Sequence, residues 1–477
     1  MENLPAELLA HICSFLERSV LADFALTAKS YLAHARWQLY TAVTLRSDHL
    51  FSSETFRLLL DNPQLSKRTV SLAIDTDPDW ETHDFITADD NTWIEPNIFK
   101  LMGGLRTLRF RRSPCVSRDG NTVNFLDILN IVYEHCANLT ELTVMELEWS
   151  PVDPRAFTGK LHDRPPLRKV VYSSLRSSGI DWTLVVYSIF SPTTSITHLD
   201  LLIGGNADNF SALETVSFTS LLTLYLRDIP AQGTPHMGRF LAAHPTIKHL
   251  FLVDVDPFTP TTATGLGILP ALVSIQAQPV VLTSLSSGCE RIRQVSVLIL
   301  DLAGVVEVVR DIAAMLHFVG GFPELLHCSI MQVISAEVLD VITLIAQESN
   351  QLTYWTGGFY CHETREVVKI SRAFAAFPDL QRLDIFEWTY SATTPTKKQI
   401  AKGLTSLAHD NANLACICLF MDQLPTNEIV RVYNVRHHPK AAVREVYACT
   451  EGGPYLRERR CVDLAAMSLD MIALSEW

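Results

Sequence analysis

Charge is scarce in this chain. Of its 477 residues, 19% are Asp, Glu, Lys or Arg, while 48% are hydrophobic. An ordinary globular domain carries roughly 25% charged residues. That balance excludes a disordered or solvating chain, which needs low hydrophobicity and high charge. Positive charge is the scarcer sign: 39 Lys and Arg stand against 52 Asp and Glu, for a net charge of −13. Duplex nucleic acid and anionic lipid both select basic surfaces, so no nucleic acid and no membrane is expected as a partner. No apolar run approaches the roughly 18 residues that a membrane-spanning helix needs. The chain opens Met1-Glu2-Asn3, with no basic stretch followed by an apolar block, so no secretory signal is expected. The ten cysteines include no Cys-x-x-Cys pair. They read as reduced, mostly buried thiols of a cytoplasmic and/or nuclear protein.

Catalytic motifs are also missing. There is no Gly-x-Ser-x-Gly, no His-Glu-x-x-His and no phosphate loop. Gly265-Leu266-Gly267 begins like a dinucleotide fingerprint, but Pro270 stands where its third glycine belongs. Cys361-His362 is adjacent in sequence, whereas catalytic pairs are assembled across space. Cys416-x-Cys418 with His437-His438 lacks the ligand spacing of a structural zinc site. The expectation is a chain that is not an enzyme, with no cofactor and no metal.

What is present is a repeat. The unit apolar-x-x-apolar-x-apolar starts at Leu105, Leu139, Leu167, Ile196, Leu221, Ile247, Leu272, Ile292, Leu325, Leu352, Leu380 and Leu414. A fainter copy spans Thr69–Ile74. The starts from Leu105 onward are on average about 28 residues apart. Between them lie stretches with apolar residues at three- and four-residue steps: Phe125–Cys136, Met237–Ala243, Val305–Phe318, Ala336–Gln347, Val367–Phe377 and Gln399–His409. Several end in Pro or Asn just before the apolar unit, a helix stop followed by a strand signal. Each unit therefore reads as helix, turn, strand. One unit cannot bury its own apolar face, and stacking neighbours makes a continuous core. The expected class is α/β. The array resembles a leucine-rich-repeat-like horseshoe solenoid with a parallel concave sheet, in a degenerate form with uneven spacing and few Asn rungs.

The first 45 residues differ. Pro5 suits a first helical turn, and Leu8, Leu9, Ile12, Phe15 and Leu16 follow at helical spacing. Second and third helices are expected from about Ser19 and from Ser30 to Tyr40. Three short helices bury little surface and usually need a partner or a neighbouring domain. The ordered positions Leu4, Pro5, Glu7, Leu8, Leu9, Ile12, Leu16, Leu21, Leu26, Ser30, Tyr31, Arg36 and Tyr40 resemble the F-box motif, and the closing Ala-Arg-x-x-Leu-Tyr-x-x-Val-Thr-Leu of 35–45 resembles in particular that of mushroom-forming fungi. Thr27-Ala28-Lys29 and Val20 depart from the usual pattern. The resemblance implies an F-box that packs on a Skp adaptor hung from a cullin scaffold, while the rest of the chain presents a protein target for ubiquitination. By position it implies adaptor-binding roles for Leu4, Pro5, Leu8, Ile12 and Leu16, with Leu21 and Leu26 holding the module together.

The organisation expected is an F-box over 1–45, then a linker, first irregular repeat and acidic loop over 46–95. The solenoid spans 96–424 and a helical and irregular C-terminal cap 425–477. Residues 75–95 hold eight acidic residues and no Lys or Arg. They read as a solvated loop, or as an acidic lip bearing Trp80 and Trp93. Strand alternation directs the residue between the last two apolar positions of each unit to the concave surface. That rule selects Asp200, Tyr225 and Phe251; with His198, His249 and Tyr354 one step earlier along their strands, these are candidate target-binding residues, with Tyr225, Phe251 and Tyr354 as exposed anchors.

Overall fold

A computed structural model describes residues 5–16, 18–46, 50–75, 96–111, 125–145, 165–173, 189, 195–202, 211–256, 269–278, 281–282, 291–297, 325–334, 342, 345–347, 351–359, 373–387, 413–414, 416–421, 429–437 and 444–451. The chain divides into two compact units, Met1–Ile247 and Lys248–Trp477.

The first unit opens with three helices, α1 (Ala6–Phe15), α2 (Arg18–Thr27) and α3 (Lys29–Leu39). Cys13, Leu21 and Ala35 form their core, with Leu16, Phe24, Ala25 and Leu39 packed against it. The rings of Phe24 and Tyr31 stack 4.7 Å apart. Pro5 stands at the N-cap of α1, where its missing N–H leaves no bond unmade.

Strands follow at once. β1 (Ala42–Arg46), β2 (Ser71–Asp75), β3 (Thr107–Arg111), β4 (Glu141–Met145), β5 (Lys169–Ser173), β6 (His198–Leu202) and β7 (Thr223–Ile229) add in chain order, each parallel to the last. Short helices α4 (Leu50–Asp61) and α5 (Pro63–Ser66) lie between β1 and β2, and α6 (Phe125–His135) lies between β3 and β4. α7 (Thr234–Ala242) follows β7. In the second unit β8 (His249–Val255), β9 (Ser274–Ala277), β10 (Gln294–Val297), β11 (His327–Ile334), β12 (Tyr354–Phe359), β13 (Arg382–Glu387) and β14 (Cys416–Met421) again pair in parallel and in order. β15 (Ile429–His437) and β16 (Arg444–Glu451) then continue the sheet antiparallel. Sequential parallel strands, each pairing with its chain neighbours, are the arrangement of a solenoid.

All twelve expected strands form, and so does the fainter copy, as β2. The apolar triads explain them. Leu105, Leu108 and Phe110 are fully buried, as are Leu139, Leu142 and Val144, and the same positions recur as core in the later units. Each strand enters the sheet in one way: two consecutive N–H groups share a carbonyl of the preceding unit. Thr140 and Glu141 donate to the Arg106 oxygen, Thr197 and His198 to Arg168, and Gln381 and Arg382 to Thr353. That keeps every strand in the same row, so a face, once set, is kept along the array.

Side-chain rungs reinforce the rows. Asn138 donates to the Gly103 carbonyl at 2.9 Å, and Asn413 to that of Pro378 at 2.9 Å. Ser195 and Thr246 take the same place in their units, donating to Leu167 and Leu221 at 2.8 Å each. The Asn ladder that looked sparse is a mixed ladder in which hydroxyls substitute. Asp228 and Asp254 close β7 and β8 in left-handed backbone (φ 55° and 52°), a conformation that Asp tolerates better than most side chains.

Three expectations change. Ala42–Arg46, counted with the N-terminal module, is the first strand: Val70 and Ser71 donate to the Thr41 carbonyl as in every later unit. The segment after 425, expected as a helical and irregular cap, carries two antiparallel strands; residues 452–477 lie outside the described residues. Leu26, expected to hold the helices together, is 85% exposed, and Cys13, fully buried, fills the core instead. The expected helices Val305–Phe318 and Gln399–His409, the acidic residues 76–95 and the Cys361-His362 pair lie outside the described residues.

Candidate docking surface and sheet face

α1 carries two apolar stripes at the same i, i+4, i+7 spacing. Leu9, Cys13 and Leu16 turn inward: Leu9 and Cys13 are buried and Leu16 packs against the core. Leu8, Ile12 and Phe15 turn outward, with 49%, 37% and 75% of their surface exposed. A ten-residue helix that buries one stripe of an amphipathic pattern normally presents polar groups opposite. Here the flank beside the buried stripe, one residue step or about 100° round the helix, is apolar too and stays exposed. Val20 and Leu26 on α2 and Leu32 and Trp37 on α3 are also exposed. Among the described residues, the large exposed hydrophobics fall on these three helices, with Leu222 the one exception. Exposed apolar side chains gathered on one small module are the kind of surface that a partner can cover.

Of the residues assigned to adaptor binding, Pro5, Leu8 and Ile12 are exposed, while Leu16 is half-buried against the module's core. Leu4 lies outside the described residues. Phe15, the most exposed residue of the α1 stripe, was read only as part of the helical face. Its role was legible in the spacing, since it falls seven residues after Leu8.

The helices are fixed to the sheet rather than tethered. The Arg68 guanidinium lies 3.9 Å from the Trp37 ring centroid. Thr69 Oγ1 donates to the Tyr40 carbonyl at 3.1 Å, and β1 is hydrogen-bonded into the ladder. A partner on α1–α3 would thus be held at one angle to the first unit's sheet.

The sheet face gives a different picture. His198, Asp200 and Tyr225 do come together on β6 and β7: the His198 and Tyr225 rings are 5.3 Å apart. They are not exposed anchors, however. Tyr225 is 5% exposed and Asp200 9%. In the second unit Phe251 is 3% exposed, while His249 and Tyr354 are half-buried. Alternation sets which side of the sheet a residue takes. It does not set exposure, because strands about 4.8 Å apart bring large side chains on adjacent units into contact with one another.

The sequence reading also missed Arg227. Its Nη2 donates to Asp200 Oδ2 at 2.6 Å, and both side chains are largely buried. Burial pushes the Asp200 carboxyl upward, and Arg227 and Lys169 pull against it; the net direction is up. The pair is placed by register. Arg227 stands across from Leu202, two residues beyond Asp200 on β6.

In the second unit His327 is buried and its ring stacks on Tyr354 at 4.0 Å. Its Nε2 lies 3.2 Å from Thr356 Oγ1. The Arg382 guanidinium sits 4.9 Å from the Tyr354 ring centroid. Burial, with Arg382 adding to it, holds the His327 imidazole down at about 3, so it is neutral at physiological pH. These contacts fasten β11 to β12 and β13. They form a packed polar seam along the sheet.

Among the described residues no group of three His, Cys, Asp or Glu is placed to hold a metal ion. Cys416 and Cys418 pair in register with Asn434 and Val432, whereas His437 pairs with Arg444. No helix of the described residues is long and apolar enough to cross a membrane.

No family model matches the chain, and no curated protein matches it. Among solved structures it is similar to the Rad7 and Elc1 complex of yeast, at 12% identity over 82% of this chain and 91% of that one, with a TM-score of 0.40. A likeness at that distance carries no functional argument.

Proposed function

We propose that this chain is the substrate-receptor subunit of a Skp–cullin–F-box ubiquitin ligase. In this reading α1–α3 are an F-box that docks the Skp adaptor. The sheet units form a degenerate leucine-rich-repeat-like horseshoe that holds a protein target in the cytosol or nucleus. The chain itself performs no chemistry. The observation that supports the reading most is the uncovered Leu8–Ile12–Phe15 stripe, beside the motif resemblance that runs through the same residues. Covering the part of each side chain that is still exposed adds about 25 cal/mol per Å² of apolar surface, set against the entropic cost of association.

The test is co-expression of the full chain with a Skp adaptor and a cullin. Wild type should capture both. Leu8→Asp/Ile12→Asp should capture neither while keeping the wild-type circular dichroism, since neither residue belongs to the module's core of Cys13, Leu21 and Ala35. Leu4→Ala/Pro5→Ala should weaken adaptor capture. A double variant that binds adaptor as wild type does would sink the docking assignment. Adaptor capture without cullin would favour an interaction scaffold with no ligase role.

A further inference from the structure

Parallel strands bring all their N-terminal ends to one edge of a sheet. In the first unit that edge is basic, although the chain as a whole carries a net charge of −13. Lys67, Arg106, Arg168 and Lys169 stand there, all exposed. Arg106 and Arg168 occupy one row: Thr140 and Glu141 donate to the Arg106 carbonyl, and Arg168 and Lys169 donate to that of Thr140. Two strand spacings, about 10 Å, separate them. Lys67 is brought in by Gly104, where a Cβ would run into the Lys67 carbonyl, so only glycine lets the two turns meet. Among the described residues, Glu141 is half-buried beside Lys169 in register, Asp200 acts electrostatically on Lys169, and Glu134 lies 3.9 Å from His135. Ion pairs among the described residues engage neither Lys67, Arg106, Arg168 nor Lys169.

We propose that this edge is a docking surface for an acidic, extended segment of a partner protein. Its side chains would reach Lys67, Arg106 and Arg168 in turn along the row. Charge complementarity carries the assignment. A short peptide fits better than a nucleic acid. Glu134 and Glu141 stand among the cations and interrupt the evenly spaced phosphate track that a nucleic acid needs. A peptide can place its carboxylates on the cations and leave those two positions bare. The inference rests on no part of the ligase reading.

The experiment is fluorescence anisotropy on the full chain with a labelled Asp- and Glu-rich peptide. The comparison variants are Lys67→Glu/Arg106→Glu/Arg168→Glu and the milder Lys67→Gln/Arg106→Gln/Arg168→Gln. The expected result is saturable binding that weakens with added salt, about tenfold or more weaker in either variant, as loss of several exposed ion pairs implies. Circular dichroism and thermal midpoint should match wild type, since the three side chains lie on the surface. Equal affinity in wild type and variants would overturn the proposal. So would no measurable binding, or tighter binding of a single-stranded oligonucleotide or of anionic vesicles than of the peptide.

Discussion

The three-helix module and the sheet face use the same residue types to opposite ends. On α1, Leu8, Ile12 and Phe15 are left in water although a partner-free fold would gain by hiding them. On β6 and β7, Tyr225 and Asp200 are hidden although the strand pattern assigns them to an outward face. The difference lies in neighbours. Among the described residues, α1 has one side packed on the module's core and the Leu8, Ile12 and Phe15 side exposed. A strand inside a parallel array has a copy of itself on either side, and side chains in one column close over each other. Apolar residues on a short helix outside the array can therefore stay exposed where aromatics inside a parallel array are covered.

The largest expected effect separates the two regions by binding. Leu8→Asp/Ile12→Asp should reduce adaptor affinity by about 100-fold or more, since two apolar contacts at about 1.4 kcal/mol each, one decade apiece, reach that figure. Isothermal titration against purified adaptor measures it, and a change below tenfold would remove α1 from the interface.

Stability separates them in the other direction. Tyr225→Ala should cost about 3 kcal/mol in denaturant unfolding, as removal of a buried aromatic does. Phe15→Ala should stay within about 0.5 kcal/mol of wild type, as exposed positions do. If the two variants lose equal stability, the contrast between covered and uncovered faces fails.

A pH titration sharpens the account of the sheet. His327 is held near 3 when folded and returns to about 6.5 when unfolded. Below pH 6.5 the unfolded chain takes up the proton that the folded chain refuses. The stability tied to neutral His327 is thus full above about 6.5 and lost as pH falls toward 3, with a slope approaching about 1.4 kcal/mol per unit. His244 adds to it with the same sign: burial pushes it down, and Phe218 N–H donates to its Nε2 at 2.8 Å, leaving Nδ1 to donate to the Phe240 carbonyl. Chemical unfolding across that range should show His327→Gln with a shallower slope than wild type. An unchanged slope would mean His327 is not sealed in the seam.

The smallest effect tests the rungs. Asn138→Ala should cost about 1 kcal/mol, one hydrogen bond lost at an exposed position, and Thr246→Val a similar amount. Neither should alter adaptor binding.

Much of this architecture can be read from spacing. The apolar triads place every strand from β2 to β14, because three inward positions in six residues have no other economical use in a stacked chain. β1 follows the same rule through Tyr40, Val43 and Leu45, but the module's own motif covers those positions and masks the repeat. The strands after 425 break the rule, since a closing antiparallel pair needs no lead apolar residue. Leu8 and Ile12 were legible as a docking candidate, but Leu8, Leu9, Ile12, Phe15 and Leu16 read as one face, and its division into a buried and an exposed flank was not visible. The burial of Tyr225, the pairing of Asp200 with Arg227 and the His327–Thr356–Tyr354 seam were not visible. They depend on which side chains meet across strands some 27 to 29 residues apart in sequence, and a single strand's pattern holds no record of its neighbour's side chains.

The central claim is that the uncovered stripe on α1 receives a Skp adaptor. Co-purification of the full chain with adaptor, wild type against Leu8→Asp/Ile12→Asp, tests it most directly. A stoichiometric complex with wild type and none with a folded double variant is the predicted result. Equal recovery of adaptor with both chains, or none with either, would contradict it.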